Sequence, residues 1–327
     1  MYFLEIHNLL IRIFKPLQFM YSQNISKLIS RLLIAFGILF INLFLFTYLA
    51  QFVCMAVYHI NISGFIGAGN FVGAKANEIN ATRLFFAIYS IGTFVFSSFV
   101  LALIFKQKPA EYLGLKSFPK VIYLVSVPVL LLVSLPLLSW LVEINNHLVF
   151  PKFLSVLEKQ LKIMEDQNNK LYDLMLGMNG YSDLFINIIV MALIPAVGEE
   201  LFCRGVLLNV VYDYSGKFFR SVVVVAVIFT LFHMQFYKFV PMMVLAVILG
   251  LFINWTQSIW ASILFHFLNN TTAVLGNFYY QKGFKNLLTD DKAHMPLILI
   301  FLSFFLAIGL IIWLNKFSKQ SSLITHE

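Results

Sequence analysis

The sequence predicts an all-α fold, a polytopic transmembrane helix bundle of about eight spans, from three observations. Sixty per cent of the 327 residues are hydrophobic and only 12% are charged, whereas a soluble domain carries roughly a quarter charged residues to cover its surface. The apolar residues fall in runs long enough for helices of about 20 residues, the length that crosses a bilayer. Lysines and arginines gather at the ends of those runs, where they anchor helices against headgroups. That placement gives the net charge of +8 its meaning. The charge is scattered over helix ends rather than collected in a patch, so the expected partner is the lipid bilayer and not nucleic acid. Cys54 and Cys203 both lie in apolar runs, and no disulfide framework or metal-spaced pair follows from them.

Along the chain, residues 1–22 mix Glu5, Arg12 and Lys15 with Leu9, Leu10, Ile13 and Phe14. This is too charged for a signal-peptide core and reads as an amphipathic helix on the membrane surface, kinked or ended by Pro16. The first two spans are expected at 33–57 and 84–105, joined by a glycine-rich extramembrane loop, "GFIGAGNFVGAK". A third span covers 120–146, with Pro128 and Pro136 as kink points. Residues 151–180 are polar, with Phe153, Leu157, Leu161 and Met164 at helical spacing, which gives a second amphipathic surface helix. Five more spans follow, at 181–210, 218–237, 239–255, 259–278 and 295–315.

An even number of spans puts both termini on one side. Twelve lysines and arginines fall on the inner segments and ten on the outer ones if the N-terminus is inside. The short 106–120 connection, with four lysines and one acid, favours both termini in the cytoplasm of a bacterial inner membrane. The chain divides into residues 1–180, which carry no recognised motif, a polar-centred bundle over 181–280, and a final span with its tail over 281–327.

Charge inside an apolar run needs a reason, because an unpaired charge in hydrocarbon costs several kcal/mol. The stretch "PAVGEELFCRGVLL" holds Glu199, Glu200 and Arg204. Arg204 lies one helical turn beyond Glu200, so these two can neutralise each other as a structural ion pair. Glu199 points about 100° away and has no local partner. Two further polar sets lie downstream: His233 in "FTLFH", and His266 with Asn270 one turn apart in "HFLNN". At 1.5 Å per residue, Glu199, His233, His266 and Asn270 lie roughly 18, 22, 10 and 16 Å from the inner ends of their spans. All four can meet in one layer. A carboxylate in such a dry site suits general-base work, and His266 and Asn270 can donate to a developing oxyanion. The other histidines, His7, His59, His147, His294 and His326, fall in loops or tails without such company.

In order, EExxxR, FxxxH and HxxxN on successive helices resemble the CAAX-protease and bacteriocin-processing family of intramembrane endopeptidases, also called the CPBP or Abi family. The motifs here are Glu199-Glu200-Leu-Phe-Cys-Arg204, Phe229-Thr-Leu-Phe-His233 and His266-Phe-Leu-Asn-Asn270, within residues 181–280. The resemblance implies that Glu199, assisted by His233, activates water, and that His266 and Asn270 form the oxyanion hole. It further implies that Glu200 and Arg204 brace the site. Many members have Phe where this chain has Cys203. The implied substrate is a membrane-associated peptide or protein, cut near a terminus. Two histidines and a glutamate also suit zinc, with Glu199, His233 and His266 as ligands. The HExxH spacing is absent, however, so no cofactor is favoured. A non-proteolytic immunity or scaffolding member of the family and an ion- or proton-coupled transporter are the alternatives. The transporter lacks the internal symmetry expected of it.

Overall fold

A computed structural model of the chain describes residues 2–69, 71–284 and 295–324, with side chains for 25–69, 71–284 and 295–319. Eleven helices and no strand occur among the described residues. They are α1 (Tyr2–Tyr58) and α2 (Ile62–Ala68), then α3 (Ala76–Ile104), which contains a π-helical segment at Ile91–Phe96. A short α4 (Pro109–Tyr112) leads to α5 (Val121–Asn146) and α6 (Ser155–Met175). The long α7 (Tyr181–Ser215) has two π-helical segments, Ile188–Leu193 and Leu201–Leu207. The last four are α8 (Phe218–Phe232), α9 (Phe239–Thr256), α10 (Trp260–Gln281) and α11 (Leu297–Ile324).

Six of these helices are long and apolar enough to cross a membrane, against about eight expected. Of the other two expected spans, α8 is apolar but has only 15 residues. The second, α10, has 22 residues, and its middle carries His266, Asn269, Asn270, Thr271 and Thr272, which dilute its apolar character. Both exceptions are the helices that bring histidines to the centre. The outer faces of α1 and α11 leave Tyr48, Phe52, Ile298 and Phe305 bare. Such a belt suits hydrocarbon, where there is no water to avoid. The chain is an integral, multi-pass membrane protein.

Several local expectations change. The first helix is continuous from Tyr2 to Tyr58, so no separate surface helix ends at Pro16, and His7 lies inside a helix rather than in a tail. Similarly, α5 runs unbroken through Pro128 and Pro136. The glycine-rich loop contains a helix of its own, α2. It is started by the Asn61 side chain, which accepts from the Gly64 amide, and stopped by Gly69 in the left-handed region at φ 63. His294 and His326 lie outside the described residues.

At the centre stands α7. Every residue from Leu201 to Leu208 is buried, as expected for a helix surrounded by others rather than set against one face. Around it pack Leu39 of α1, Leu101 of α3, Leu113 after α4, Val222 and Val225 of α8, Ala246 of α9 and Ile263 of α10. A second core joins α5, α9, α10 and α11 through Leu130, Phe252, Phe265 and Leu314.

The polar helix α6 is tied down at its middle and at its C-terminal end. The backbone amide of Tyr237, just beyond α8, donates to the buried Glu165 at 3.2 Å. At the C-terminal end Arg83 of α3, only 3% exposed, donates to the carbonyls of Met175 and Gly177 at 3.0 and 2.8 Å and pairs with Asp183 at 3.1 Å. The Asn187 amide adds a third donor to the Met175 carbonyl at 2.8 Å. A cation at the carbonyl end of a helix is favoured by the helix dipole as well as by its hydrogen bonds. By spacing alone Arg83 counts as one more outer loop charge. The fold makes it a buried clamp.

Candidate active site

Glu199 and Glu200 end a short α-helical stretch, Ile194–Glu200, between the two π-helical segments of α7. Pro195 cannot donate a helical hydrogen bond, and the wide turn before it absorbs that loss. Gly198 lets α3 approach closely, because a Cβ there would lie 2.9 Å from the Cβ of Phe94. The glutamates therefore start from a backbone packed tightly against its neighbours.

The ion pair expected within α7 forms. An Arg204 Nη1 donates to Glu200 Oε1 at 2.9 Å, with Glu200 fully buried and Arg204 nearly so. The guanidinium also donates to the Ala246 carbonyl at 3.0 Å and lies 4.8 Å above the Phe229 ring. Good geometry and these extra partners are what a buried pair needs to offset its desolvation. Glu200 does more than pair with Arg204, however. Its Oε1 also lies 2.9 Å from His266 Nδ1, a contact between residues 66 apart that no local spacing announces. Since an ionised carboxylate only accepts, His266 Nδ1 carries the proton and donates.

His233 is expected within a helix reaching 237, but α8 stops at Phe232. His233 is its capping residue, and Met234 follows with φ 51, a left-handed conformation rare for a side chain with a Cβ. His233 Nδ1 lies 2.8 Å from the Phe229 carbonyl. A carbonyl can only accept, so this nitrogen too is the protonated one.

Both rings therefore turn Nε2 toward Glu199. Its Oε2 lies 3.6 Å from His233 Nε2 and 3.8 Å from His266 Nε2, just beyond direct hydrogen-bond range. That oxygen is buried with no hydrogen-bond partner, although the Glu199 side chain as a whole keeps 16% of its surface open. Phe229 packs against both rings, with centroids at 4.4 and 6.1 Å. Asn270 lies one turn beyond His266 on α10 and is half-buried. Among the described residues its side chain accepts one hydrogen bond, from Asn269 at 3.3 Å, and none joins it to Glu199 or the histidines. Among the described residues no group of three or more His, Cys, Asp or Glu is arranged to hold a metal ion.

Helices of membrane length around a buried carboxylate, two imidazoles and an ion pair define a polytopic membrane protein with a polar centre fit for chemistry. Residues 181–272 match the family model described as Rce1-like, type II CAAX prenyl endopeptidase Rce1-like. The matched segment includes all seven fixed residues of the three motifs, and over it the chain is similar to that family. No curated protein and no solved structure matches the chain.

Proposed function

We propose that the protein is an intramembrane endopeptidase that hydrolyses a peptide bond near the terminus of a membrane-associated peptide or protein. One observation carries this reading: Glu199 Oε2, unpartnered, faces two imidazole Nε2 atoms at 3.6 and 3.8 Å. Gaps of this size suit a bridging water. Such a water donates one hydrogen to Glu199 and one to the lone pair of His233 Nε2. Its oxygen attacks the scissile carbonyl carbon while Glu199 takes the proton. The carbonyl oxygen becomes an oxyanion, and the intermediate collapses by expelling the amine, which receives the proton back from Glu199.

In this mechanism His266 and Asn270 stabilise the oxyanion. Glu199, Glu200 and Arg204 together leave one negative charge, and a second proton on His266 neutralises the cluster. Glu200 supports that imidazolium through Nδ1, and the proton on Nε2 is then directed toward the reacting carbonyl. Arg204 holds Glu200 in place. The reaction as drawn needs no metal. We place both termini in the cytoplasm of a bacterial inner membrane, from the lysines of the 106–120 connection.

Purified wild type should cleave a reporter peptide ending in a farnesylated CAAX sequence or release mature proteins in its native membrane, and Glu199→Gln should do neither. Uncleaved precursors that accumulate with Glu199→Ala would identify the natural substrate. If wild type and Glu199→Gln leave identical membrane proteomes and an intact reporter, the endopeptidase reading fails and the scaffolding or transport alternative replaces it.

A further inference from the structure

The His233 ring owes its orientation to the early end of α8. In a continuing α-helix the His233 amide would donate to the Phe229 carbonyl, four residues back. Here it donates to the Thr230 carbonyl at 3.3 Å, and the Met234 amide donates to that of Leu231 at 3.1 Å. The Phe229 carbonyl is thereby left for the ring, whose Nδ1 donates to it at 2.8 Å. That bond fixes the tautomer, so Nε2 is the lone-pair nitrogen turned toward Glu199. The chain leaves the helix at Met234, whose φ of 51 belongs to a position that glycine usually fills. A straight-chain residue such as methionine favours continuing the helix. Something outside α8 must therefore hold the turn.

Three residues from elsewhere grip the connection that follows. Asn145, in the last turn of α5, is fully buried. Its Nδ2 donates to the Phe236 carbonyl at 2.8 Å, and its Oδ1 accepts from the Val240 amide at 3.0 Å. One partner can only accept and the other only donate, which fixes the way the side-chain amide points. Phe236 opens a single 3-10 turn, Phe236–Lys238, and Val240 is the second residue of α9. The first amides of a helix have no partner within it, and Lys238 before α9 makes no side-chain cap. Asn145 thus caps α9 from another helix. Glu165 of α6, 4% exposed, accepts from the Tyr237 amide between these two points at 3.2 Å. Phe150 stacks on Phe236 with ring centroids 4.2 Å apart. All three residues lie before the matched segment, which begins at 181.

We propose that Asn145 is a positioning residue for His233. By tying the Phe236 carbonyl and the Val240 amide to α5, it holds the chain in the left-handed turn at Met234, and that turn frees the Phe229 carbonyl to set the imidazole tautomer. Without the tie α8 lengthens, the His233 amide takes the Phe229 carbonyl, and Nδ1 loses its acceptor. Either ring nitrogen can then carry the proton, and only part of the population offers a lone pair at Nε2 to a water on Glu199. The catalytic consequence rests on the endopeptidase reading; the effect on the ring does not. Glu165 and Phe150 steady the same connection, but of the three Asn145 is the one that binds it at two points.

Nitrogen-15 spectra of histidine-labelled protein, recorded with the ring neutral, report the tautomer directly, and the His233 signals are those lost in His233→Gln. Wild type should show His233 protonated at Nδ1, and Asn145→Ala should show the Nε2-protonated form as well. Against the farnesylated reporter, Asn145→Ala should lower kcat about ten- to hundredfold with KM within about twofold, as a displaced catalytic group does. Adding Met234→Gly to Asn145→Ala should raise kcat again by at least about fivefold, because glycine takes the left-handed turn unaided. A cap lost from α9 would not be repaired that way. If Asn145→Ala does not accumulate in folded form, Glu165→Leu removes the neighbouring tether and is carried through the same series. An unchanged tautomer overturns the proposal, as does wild-type kcat in the tether variant or a loss that Met234→Gly leaves untouched. A wild type that cleaves no reporter counts against the endopeptidase reading, and the nitrogen spectra still decide whether Asn145 sets the His233 ring.

Discussion

Glu199 and Glu200 are adjacent, and replacing each by glutamine should separate chemistry from stability. Glu200 is fully buried and accepts from both Arg204 and His266 at 2.9 Å. Glutamine keeps one acceptor oxygen but removes the charge, leaving a guanidinium that is itself only 3% exposed with the Ala246 carbonyl and the Phe229 face for company. Breaking a buried pair from one side costs about 3–5 kcal/mol, and the retained acceptor argues for the lower end. Glu199 has no hydrogen bond to lose at Oε2 and keeps 16% of its side chain open. Its neutral isostere should change stability by no more than about 1 kcal/mol, in either direction. Turnover should behave in the opposite way, since losing a general base costs roughly 10²–10⁴-fold. The assay pairs denaturant unfolding in detergent with cleavage of the farnesylated reporter. Equal destabilisation by the two substitutions, or wild-type turnover in Glu199→Gln, would refute the division of labour.

Three further outcomes are expected. Asn270→Ala should lower kcat by roughly 10²–10³-fold with little change in KM, and exhaustive phenanthroline treatment should leave activity intact; chelator inactivation reversed by zinc, with a nearly silent Asn270→Ala, would establish the metal mechanism instead. Ser117→Cys and Asp166→Cys, both at exposed positions, should be labelled from opposite sides of sealed cells, and labelling of both from one side would refute the topology. Tyr112 has a buried hydroxyl without a partner, and burial pushes its phenol up to about 12 from 10.0. The unfolded chain ionises first as pH rises, so its contribution is complete below pH 10 and lost between 10 and about 12, by roughly 2–3 kcal/mol. Tyr112→Phe should therefore lose less stability than wild type over that interval in pH-resolved unfolding, and parallel curves would count against it.

Residues whose position follows from distance along a helix were the legible ones. Depth counted along three helices was enough to bring Glu199 together with His233 and His266, and i,i+4 spacing was enough for Glu200 and Arg204. The Glu200–His266 bond was invisible because it joins two helices whose rotation depends on everything packed between them. The early end of α8 was hidden for a related reason. Apolar residues recur beyond His233, at Met234, Phe236 and Tyr237, and the left-handed turn at Met234 follows the helix end. Arg83 looked like a loop cation because the carbonyls that bury it come from nearly a hundred residues away.

The wide turns of α7 restrict how such a chain can change over generations. A π-helical turn holds one residue more than an α-helical turn needs, so Ile188–Leu193 and Leu201–Leu207 each carry a surplus residue. Losing one from the second segment would let the helix close up and swing everything downstream by about 100°. Asn209, whose amide holds the Tyr112 and Gly205 carbonyls at 2.9 and 2.7 Å, would then face elsewhere. A loss from the first segment would turn Glu199 and Glu200 away from both histidines while leaving every letter of the motif in place. Side chains along this stretch can be exchanged one at a time, but its length cannot drift. A descendant with all three motifs and one residue fewer before Glu199 would look intact on paper and have no assembled centre.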